Sequence, residues 1–306
     1  MSKQPHQTSR SSSKIRSQTV SVIVPTFNGL PLMKKHLDSW LANLITGDEL
    51  LIVDDQSSDK TSDWLIDRFK LIKAQVLKDY QVYFNSEFEH GSDLSIQIKL
   101  IVNSKNKRFA KSCNLAVDLA QNDLVFLLNN DVRLGNNCLN TLVTNFDKNG
   151  VFGVGCLEYE GQDKSGTKSG KNLLWFEKGL LTHSRANNFE SGQTAWVSGG
   201  SGMFNRKKWQ MLGGFDPKYH PAYWEDIDLS FRARKRGWQV LFDAKAVVFH
   251  QHESTNAQVF SLGQIQKLSW HHNDYMTWKL GHVWQRLAFL IWRPYWWYQR
   301  LKQKRT

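Results

Sequence analysis

The feature that most constrains this chain is a set of short apolar runs, each stopped by a polar or anionic residue: VSVIVPT (20–26), ELLIVDD (49–55), IKLIV (98–102) and LVFLL (124–128). None alternates between apolar and polar, so both faces of each strand are expected to be buried, as in a parallel sheet covered by helices. The residues between them have helical spacing. Leu32, Leu37, Trp40, Leu41 and Leu44 give one apolar face, and Trp64, Leu65 and Phe69 give a second, which Ser58 or Asp59 can cap. Ala110, Cys113, Ala116, Val117 and Ala120 line a third. Strand and helix alternate, which predicts an α/β, Rossmann-like fold: a mixed, mostly parallel sheet with helices on both faces. The stretch 71–97 is longer than such a connection needs and reads as an insertion.

The second half has a different rhythm. VFGVGCLEY (151–159) leads into a Gly/Lys/Asn-rich segment, to about residue 192, that reads as a mobile loop. TAWVSGGSGMFNR (194–206), a short helix at 207–212 and GGFD (213–216) follow. A helix is predicted from Glu225 to a stop at Gly237, and 238–252 reads as two short strands.

Charge is concentrated at the ends. Of the net +12, residues 1–18 contribute +4 and residues 267–306 contribute +7, leaving a nearly neutral body that disfavours nucleic acid as a partner. The first 18 residues, rich in Ser, Gln and basic residues, are predicted to be a disordered tail. They have no apolar core of the kind a secretory signal carries. Cys113, Cys138 and Cys156 form no CxxC pair, which suits a reducing compartment and thiols used as small apolar groups rather than zinc ligands. The longest late apolar run, Leu287–Trp292, falls far short of the ~20 residues a spanning helix needs.

Six of the thirteen tryptophans nevertheless lie within 270–297, interleaved with Lys279, Arg286, Arg293 and Arg300. Val283, Leu287, Leu290 and Ile291 share a helical face, and Pro294 is expected to kink or end the helix. This extension, residues 263–306, reads as amphipathic and helical. It is expected to lie on an anionic membrane surface; packing onto the body or onto a second copy is the alternative.

In open α/β sheets ligands bind beyond the carboxyl ends of the strands. Here Thr26-Phe27-Asn28, Asp54-Asp55 and Asn129-Asn130-Asp131 sit at three such ends, which together favour a polar ligand. No GxxxxGK(S/T) loop is present, GVGCLEYEG lacks dinucleotide-loop spacing, and SGGSG (198–202) reads as a close backbone approach. A phosphate-bearing ligand without a glycine cradle calls for a divalent cation, which binds one or two carboxylates plus phosphate oxygens. Asp131 is placed for that, and equally for starting a turn. In PAYWEDIDLSFRARKRG (221–237), Glu225, Asp226 and Asp228 suit a helix N-terminus. The adjacent Tyr223 and Trp224 add the desolvation that raises a carboxylate's pKa toward a general base. His250 and His252 end the last strand.

Taken in order, VSVIVPTFNG, LLIVDDQSSD, LLNNDV, GGFD…YWEDIDLSFRARKRG and VVFHQH resemble the family 2 glycosyltransferases of GT-A fold. Within that family the resemblance is to bacterial rhamnosyltransferase-like enzymes of cell-envelope glycans. It covers roughly residues 19–255 and implies a catalytic domain at 19–262. Residues 19–135 would be the nucleotide-sugar-binding half and 136–262 the acceptor and catalytic half. It implies inverting transfer from a UDP-, dTDP- or GDP-linked sugar to a glycan or lipid-linked acceptor, dependent on Mg²⁺ or Mn²⁺. The setting implied is cytoplasmic, at the inner face of the membrane.

Carried over by residue, the resemblance implies that Pro25, Thr26, Phe27 and Asn28 line the nucleoside pocket. Asp55, or less readily Asp54, takes the base or ribose. Asn130 and Asp131 hold the DXD-like position, with Asp131 and His250 (or His252) at the metal. Asp226, beside Glu225, is the base. Arg232 or Arg234 could meet phosphate, and Arg108 stands where the family often has glycine. A non-catalytic nucleotide- or glycan-binding relative and a nucleotidyltransferase are the competing readings.

Overall fold

The computed structural model describes residues 16, 18–89, 95–250 and 261–303. β1 (Val20–Thr26), α1 (Leu30–Leu41), β2 (Glu49–Asp54) and α2 (Thr61–Phe69) open the fold. β3 (Ile72–Val76), β4 (Tyr80–Glu89), β5 (Ser95–Asn103), α3 (Arg108–Leu119), β6 (Leu124–Leu128), β7 (Val132–Leu134) and α4 (Cys138–Val143) complete the first half. The second half holds β8 (Val151–Glu160), β9 (Lys168–Ser169), β10 (Asn172–Glu177), β11 (Leu180–Arg185), β12 (Gly192–Gln193) and β13 (Ser201–Asn205). Then come α5 (Arg206–Met211), α6 (Glu225–Lys235), β14 (Gln239–His250), α7 (Leu262–Leu280) and α8 (Val283–Gln303).

The main sheet runs β12-β14-β8-β13-β6-β1-β2-β5-β4-β3, parallel through β6-β1-β2-β5 and mixed toward its edges. Its central strands are buried on both faces, as their unbroken apolar runs predict. Val20, Val22 and Val24 of β1 point into one core, with Met33, Leu37 and Trp40 of α1, Leu65 and Phe69 of α2 and Leu139 of α4. The intervening Ile23 points into the opposite core, with Cys113 and Val117 of α3, Trp209 of α5 and Leu229 of α6. Each fully buried Leu, Val or Phe here is worth about 1.5–3 kcal/mol. The three cysteines are free and buried.

Several elements differ from the sequence reading. The insertion at 71–97 adds β3 and β4 as an antiparallel extension of the sheet beyond β5. The Gly-rich segment read as a mobile loop contains β9 and the β10–β11 hairpin, paired from Asn172↔Arg185 to Glu177↔Leu180. Leu181 secures that hairpin in a third core with Tyr219, Trp224, Ile227 and Met276. Residues 239–250 form one strand, not two, with a register shift between Asp243 and Val247 that lets it pair with β8 along its whole length. Arg16, from the segment read as tail, is buried in an ion pair with Asp48, and burial lowers its pKa to about 10. The rest of that tail, apart from Gln18, lies outside the described residues.

The C-terminal extension divides in two. α7 packs back on the body through Met276, His272 and Thr277, and Lys279 binds Asp216 and Asp228 at 2.7 and 2.8 Å. Two of the four basic residues interleaved with the tryptophans are therefore engaged within the protein: Lys279 on α7, and Arg300 of α8, which makes two hydrogen bonds to Asp274. α8 continues through Pro294. Among the described residues no helix is long and apolar enough to cross a membrane.

Candidate active site

β1 and β2 are paired so that Thr26 lies beside Asp54, and the Asp55 N–H donates to the Thr26 carbonyl at 2.8 Å. The ends of β1, β2 and β6 thus meet at one rim. They open on a cavity of about 260 Å³ whose lining includes Pro25, Thr26, Phe27, Asp55, Arg108, Asn130, Asp131, Glu225 and Asp226. Asn130 Nδ2 donates to Thr26 Oγ1 at 2.9 Å. Trp40 of α1 donates its indole N–H to the Val132 carbonyl at 2.8 Å, fixing the backbone just after Asp131.

The two adjacent acids at the end of β2, Asp54 and the following Asp55, have separate duties. Asp54 does not line the cavity: its carboxylate accepts from the Ser57 N–H at 2.8 Å and from the Ser62 hydroxyl. Asn28 is likewise held away, its Oδ1 accepting from the Ser58 N–H at 2.8 Å. Asp55 faces the cleft but is heavily engaged within the protein. Its Oδ1 accepts from Asn103 Nδ2 at 2.8 Å, Lys107 N at 2.7 Å and Ser112 Oγ at 3.2 Å. Its Oδ2 accepts from Arg108 N at 2.7 Å. Asp55 therefore shapes the loop that leads into α3. In that loop Arg108, at the position where the family often has glycine, adopts a left-handed φ of 65°. That backbone costs a non-glycine residue about 1–2 kcal/mol, and it turns the Arg108 side chain to the cleft wall.

Asp131 is buried, and its Oδ1 lies 3.2 Å from His250 Nε2 at the end of β14. Burial alone lowers a histidine pKa, but the Asp131 contact outweighs it and holds His250 above its ordinary value. A carboxylate and an imidazole side by side are a two-ligand donor set, which fits a cation that completes its shell with phosphate oxygens and water. Among the described residues no group of three or more His, Cys, Asp or Glu side chains could enclose a metal on its own. His252 lies outside the described residues.

Opposite the strand ends, α6 brings Glu225 and Asp226 to the cleft. Tyr223 and Trp224 precede them with consecutive left-handed φ values of 78° and 80°, a strained approach held by the surrounding structure. Gly214 and Phe215 of GGFD form the corner behind it, clamped by Asn114 and by Arg232. Arg232 also binds Asp228 at 2.7 Å, and Arg234 reaches the Ala195 carbonyl at 3.4 Å. Neither arginine lines the cleft. Both brace the fold, against the expectation that they reach phosphate.

Asp226 borders the cleft with protein on its other sides. That desolvation raises its pKa to about 6, against the opposing N–H groups of Gly199 and Ile227, with Glu158 adding to the rise. Glu225 is pushed further, to about 8, by burial first and then by Asp226. Its Oε2 is buried with no hydrogen-bond partner among the described residues. Both carboxyls are raised by burial, and Asp226, the less enclosed of the two, is the one placed at the cleft to accept a proton.

Sequence reasoning missed Ser198, Asn106 and Phe109 in the wall, where Tyr223 also stands beside the acids as expected. It also missed Glu158, which bonds to Ser201 and Ser169 and bears electrostatically on both Asp226 and His250. SGGSG was the available signal. A Cβ on Gly200 would sit 2.6 Å from Asn129 Nδ2, so glycine is needed where β13 passes the end of β6.

The family model described as Glycosyl transferase family 2 matches residues 21–212. Among curated proteins, the O-antigen chain rhamnosyltransferase RfbN of Salmonella typhimurium is 22% identical over 244 residues, covering 79% of this chain and 69% of that protein. The N-acetylglucosaminyl-diphospho-decaprenol L-rhamnosyltransferase of Mycobacterium tuberculosis is 22% identical over 257 residues, covering 76% of each. Among solved structures, GalNAc-T7 with UDP, GalNAc and Mn²⁺ superposes with a TM-score of 0.57 at 15% identity, over 77% of this chain and 44% of that one. The mannosyltransferase PcManGT from Pyrobaculum calidifontis, in complex with GDP-Man and Mn²⁺, gives 0.54 at 15% identity, over 92% and 76%. At such identities the structural likeness speaks to the fold alone.

Proposed function

Because this chain belongs to glycosyltransferase family 2 and has the GT-A fold, we propose that it is an inverting enzyme. It takes a sugar from a nucleoside-diphosphate donor to a hydroxyl of a glycan or lipid-linked acceptor. The observation that carries the reading is Asp226, a carboxylate with a pKa raised to about 6 in the same cavity as Asp131. The family match ends at residue 212, before α6, so the role of Asp226 stands on the geometry and on the WED motif.

In the proposed reaction the Asp226 carboxylate accepts the proton of the acceptor hydroxyl as that oxygen bonds to the anomeric carbon. The bond from that carbon to the donor's diphosphate oxygen breaks, its electron pair leaving with the nucleoside diphosphate. Pro25, Thr26, Phe27 and Asp55 hold the nucleoside, Asn130 orients the loop, and Arg108 meets the phosphates. Asp131 and His250 would hold Mg²⁺ or Mn²⁺, which when bound neutralises charge on the leaving diphosphate. Proton acceptance of this kind is worth about 10²–10⁴ in rate. The UDP, GalNAc and Mn²⁺ of GalNAc-T7, the GDP-Man and Mn²⁺ of PcManGT, and the rhamnosyltransferase relatives support this donor and metal class.

We place the enzyme in the cytoplasm at an anionic membrane surface. Support comes from α8, where Val283, Trp284, Leu287, Leu290, Ile291 and Trp297 recur at helical spacing and are all exposed. Arg286 and Arg293 lie beside them in sequence, the arrangement of an interfacial helix. The test of function is a screen of UDP-, dTDP- and GDP-sugars for nucleoside-diphosphate release with Mn²⁺ or Mg²⁺. One donor class should turn over and stop with chelator. No release from any donor, or release indifferent to chelator, overturns the reading.

A further inference from the structure

A second cavity, of about 220 Å³, opens between the β10–β11 hairpin and the α7–α8 helical hairpin. Trp224, Trp270 and Trp296 contribute to its walls, and Asn273, Gln299 and Arg300 lie among them. It falls below the ~300–1,000 Å³ of drug-sized sites, which suits about one sugar ring. Its charge is compensated. Asp274 holds Arg300 through hydrogen bonds of 2.9 and 2.5 Å, and desolvation lowers the His183 pKa, leaving that imidazole neutral at physiological pH. Asp274 already matches the Arg300 charge, so an entering anion meets a carboxylate as well as a guanidinium, and phosphate is disfavoured.

What remains are the indoles of Trp270 and Trp296 beside neutral amides and hydroxyls, with the Arg300 guanidinium lying over the Trp270 ring. Such a surface complements a pyranose, whose C–H face stacks on indole while its hydroxyls pair with amides. The cavity is also tied to the catalytic cleft. Trp224, whose indole N–H donates to Ser269 Oγ at 3.0 Å, immediately precedes Glu225 and Asp226.

We propose that this cavity binds a neutral saccharide, a sugar unit of the acceptor other than the one that reacts. Saccharide binding stands on the cavity alone; its assignment to the acceptor rests on the transferase reading above. The test titrates the full chain, without donor or metal, with methyl glycosides of rhamnose, mannose, galactose and N-acetylglucosamine, and with inorganic phosphate, by saturation-transfer NMR and calorimetry. At least one glycoside should bind and phosphate should not. Gln299→Leu and Trp296→Ala should each weaken that binding about tenfold, while Asp226→Asn leaves it unchanged. Gln299→Leu keeps the aromatic packing, so an unaltered melting curve separates lost binding from lost folding. Binding of phosphate, failure of every glycoside, indifference to both cavity variants, or loss in Asp226→Asn overturns the proposal. With an acceptor of several sugars, Gln299→Leu should raise its KM and spare kcat; an unchanged KM overturns the acceptor assignment. If no donor is ever turned over, the transferase reading fails while the glycoside titration still reports on the cavity.

Discussion

Replacing Asp55 by asparagine changes one oxygen to an NH₂ group with almost no change in shape. The cost follows from what surrounds it. If the new amide NH₂ takes the place of Oδ2, it faces the Arg108 N–H, 2.7 Å from that position in the parent. If it takes the place of Oδ1, it faces the Lys107 N–H and the Asn103 amide, at 2.7 and 2.8 Å. No flip avoids a donor opposing a donor. One charge-assisted hydrogen bond, worth about 1.5–3 kcal/mol, is lost, and a buried donor left unsatisfied costs about 1–3 kcal/mol more. The sum is about 2.5–6 kcal/mol, or roughly 4–10 °C in melting temperature for a chain of this size. Urea and thermal unfolding of Asp55→Asn, run beside titration with the donor found by screening, measure both roles at once. The expected result is a large loss of stability together with weakened donor binding. A variant that unfolds within ~1 kcal/mol of the parent but no longer binds donor would show that Asp55 is a ligand and not the keystone of the α3 loop.

Other outcomes follow from the same geometry. Glu225 and Asp226 have folded-state pKa values raised above their unfolded ones, to about 8 and about 6. Their contribution is fully present below the ordinary carboxylate range and is lost as pH climbs through the folded values. Chemical denaturation from pH 4 to 8 should therefore show this loss, and Glu225→Gln should flatten the dependence; an unchanged slope contradicts it. Arg108→Gly should relieve the left-handed strain by about 1 kcal/mol and still weaken donor affinity, read as a higher melting temperature with a higher donor Kd. Flotation with phosphatidylglycerol vesicles should capture the parent protein, and Trp284→Asp with Ile291→Glu should release it; equal capture removes α8 as the membrane-facing element.

How much of this was legible in the sequence depended on whether local pattern decided the structure. Val20–Thr26 and Leu124–Leu128 could be read because a strand buried on both faces has only apolar residues to show. That Asp55, Asn130, Asp131 and Asp226 line one cleft could be anticipated because strand ends and the WED motif mark them. The resemblance alone favours Asp55 over Asp54; the hydrogen bonds from Ser57 and from Lys107 and Arg108 are what assign the two different work. The β10–β11 hairpin was hidden because the partner that buries it, α7, lies far along the chain and the flanks of the hairpin are rich in Gly and Lys. Arg232 looked like a phosphate contact because sequence shows a charge but not the carbonyls of Leu212 and Gly214 that occupy it. The aromatic tail showed amphipathicity without its division of labour, with α7 bound inward and α8 tied down by Phe289 and Arg300 on one side and exposed on the other.

The central claim is that Asp226 removes a proton from the acceptor during sugar transfer. The most direct measurement is single-turnover transfer by Asp226→Asn, with donor affinity measured on the same preparation. The expected result is a fall of about 10²–10⁴ in the transfer rate with donor Kd unchanged. In the parent enzyme the rate should fall about tenfold per pH unit below about 6, as Asp226 takes up a proton. Transfer by Asp226→Asn near the parental rate, with donor bound equally well, would contradict it.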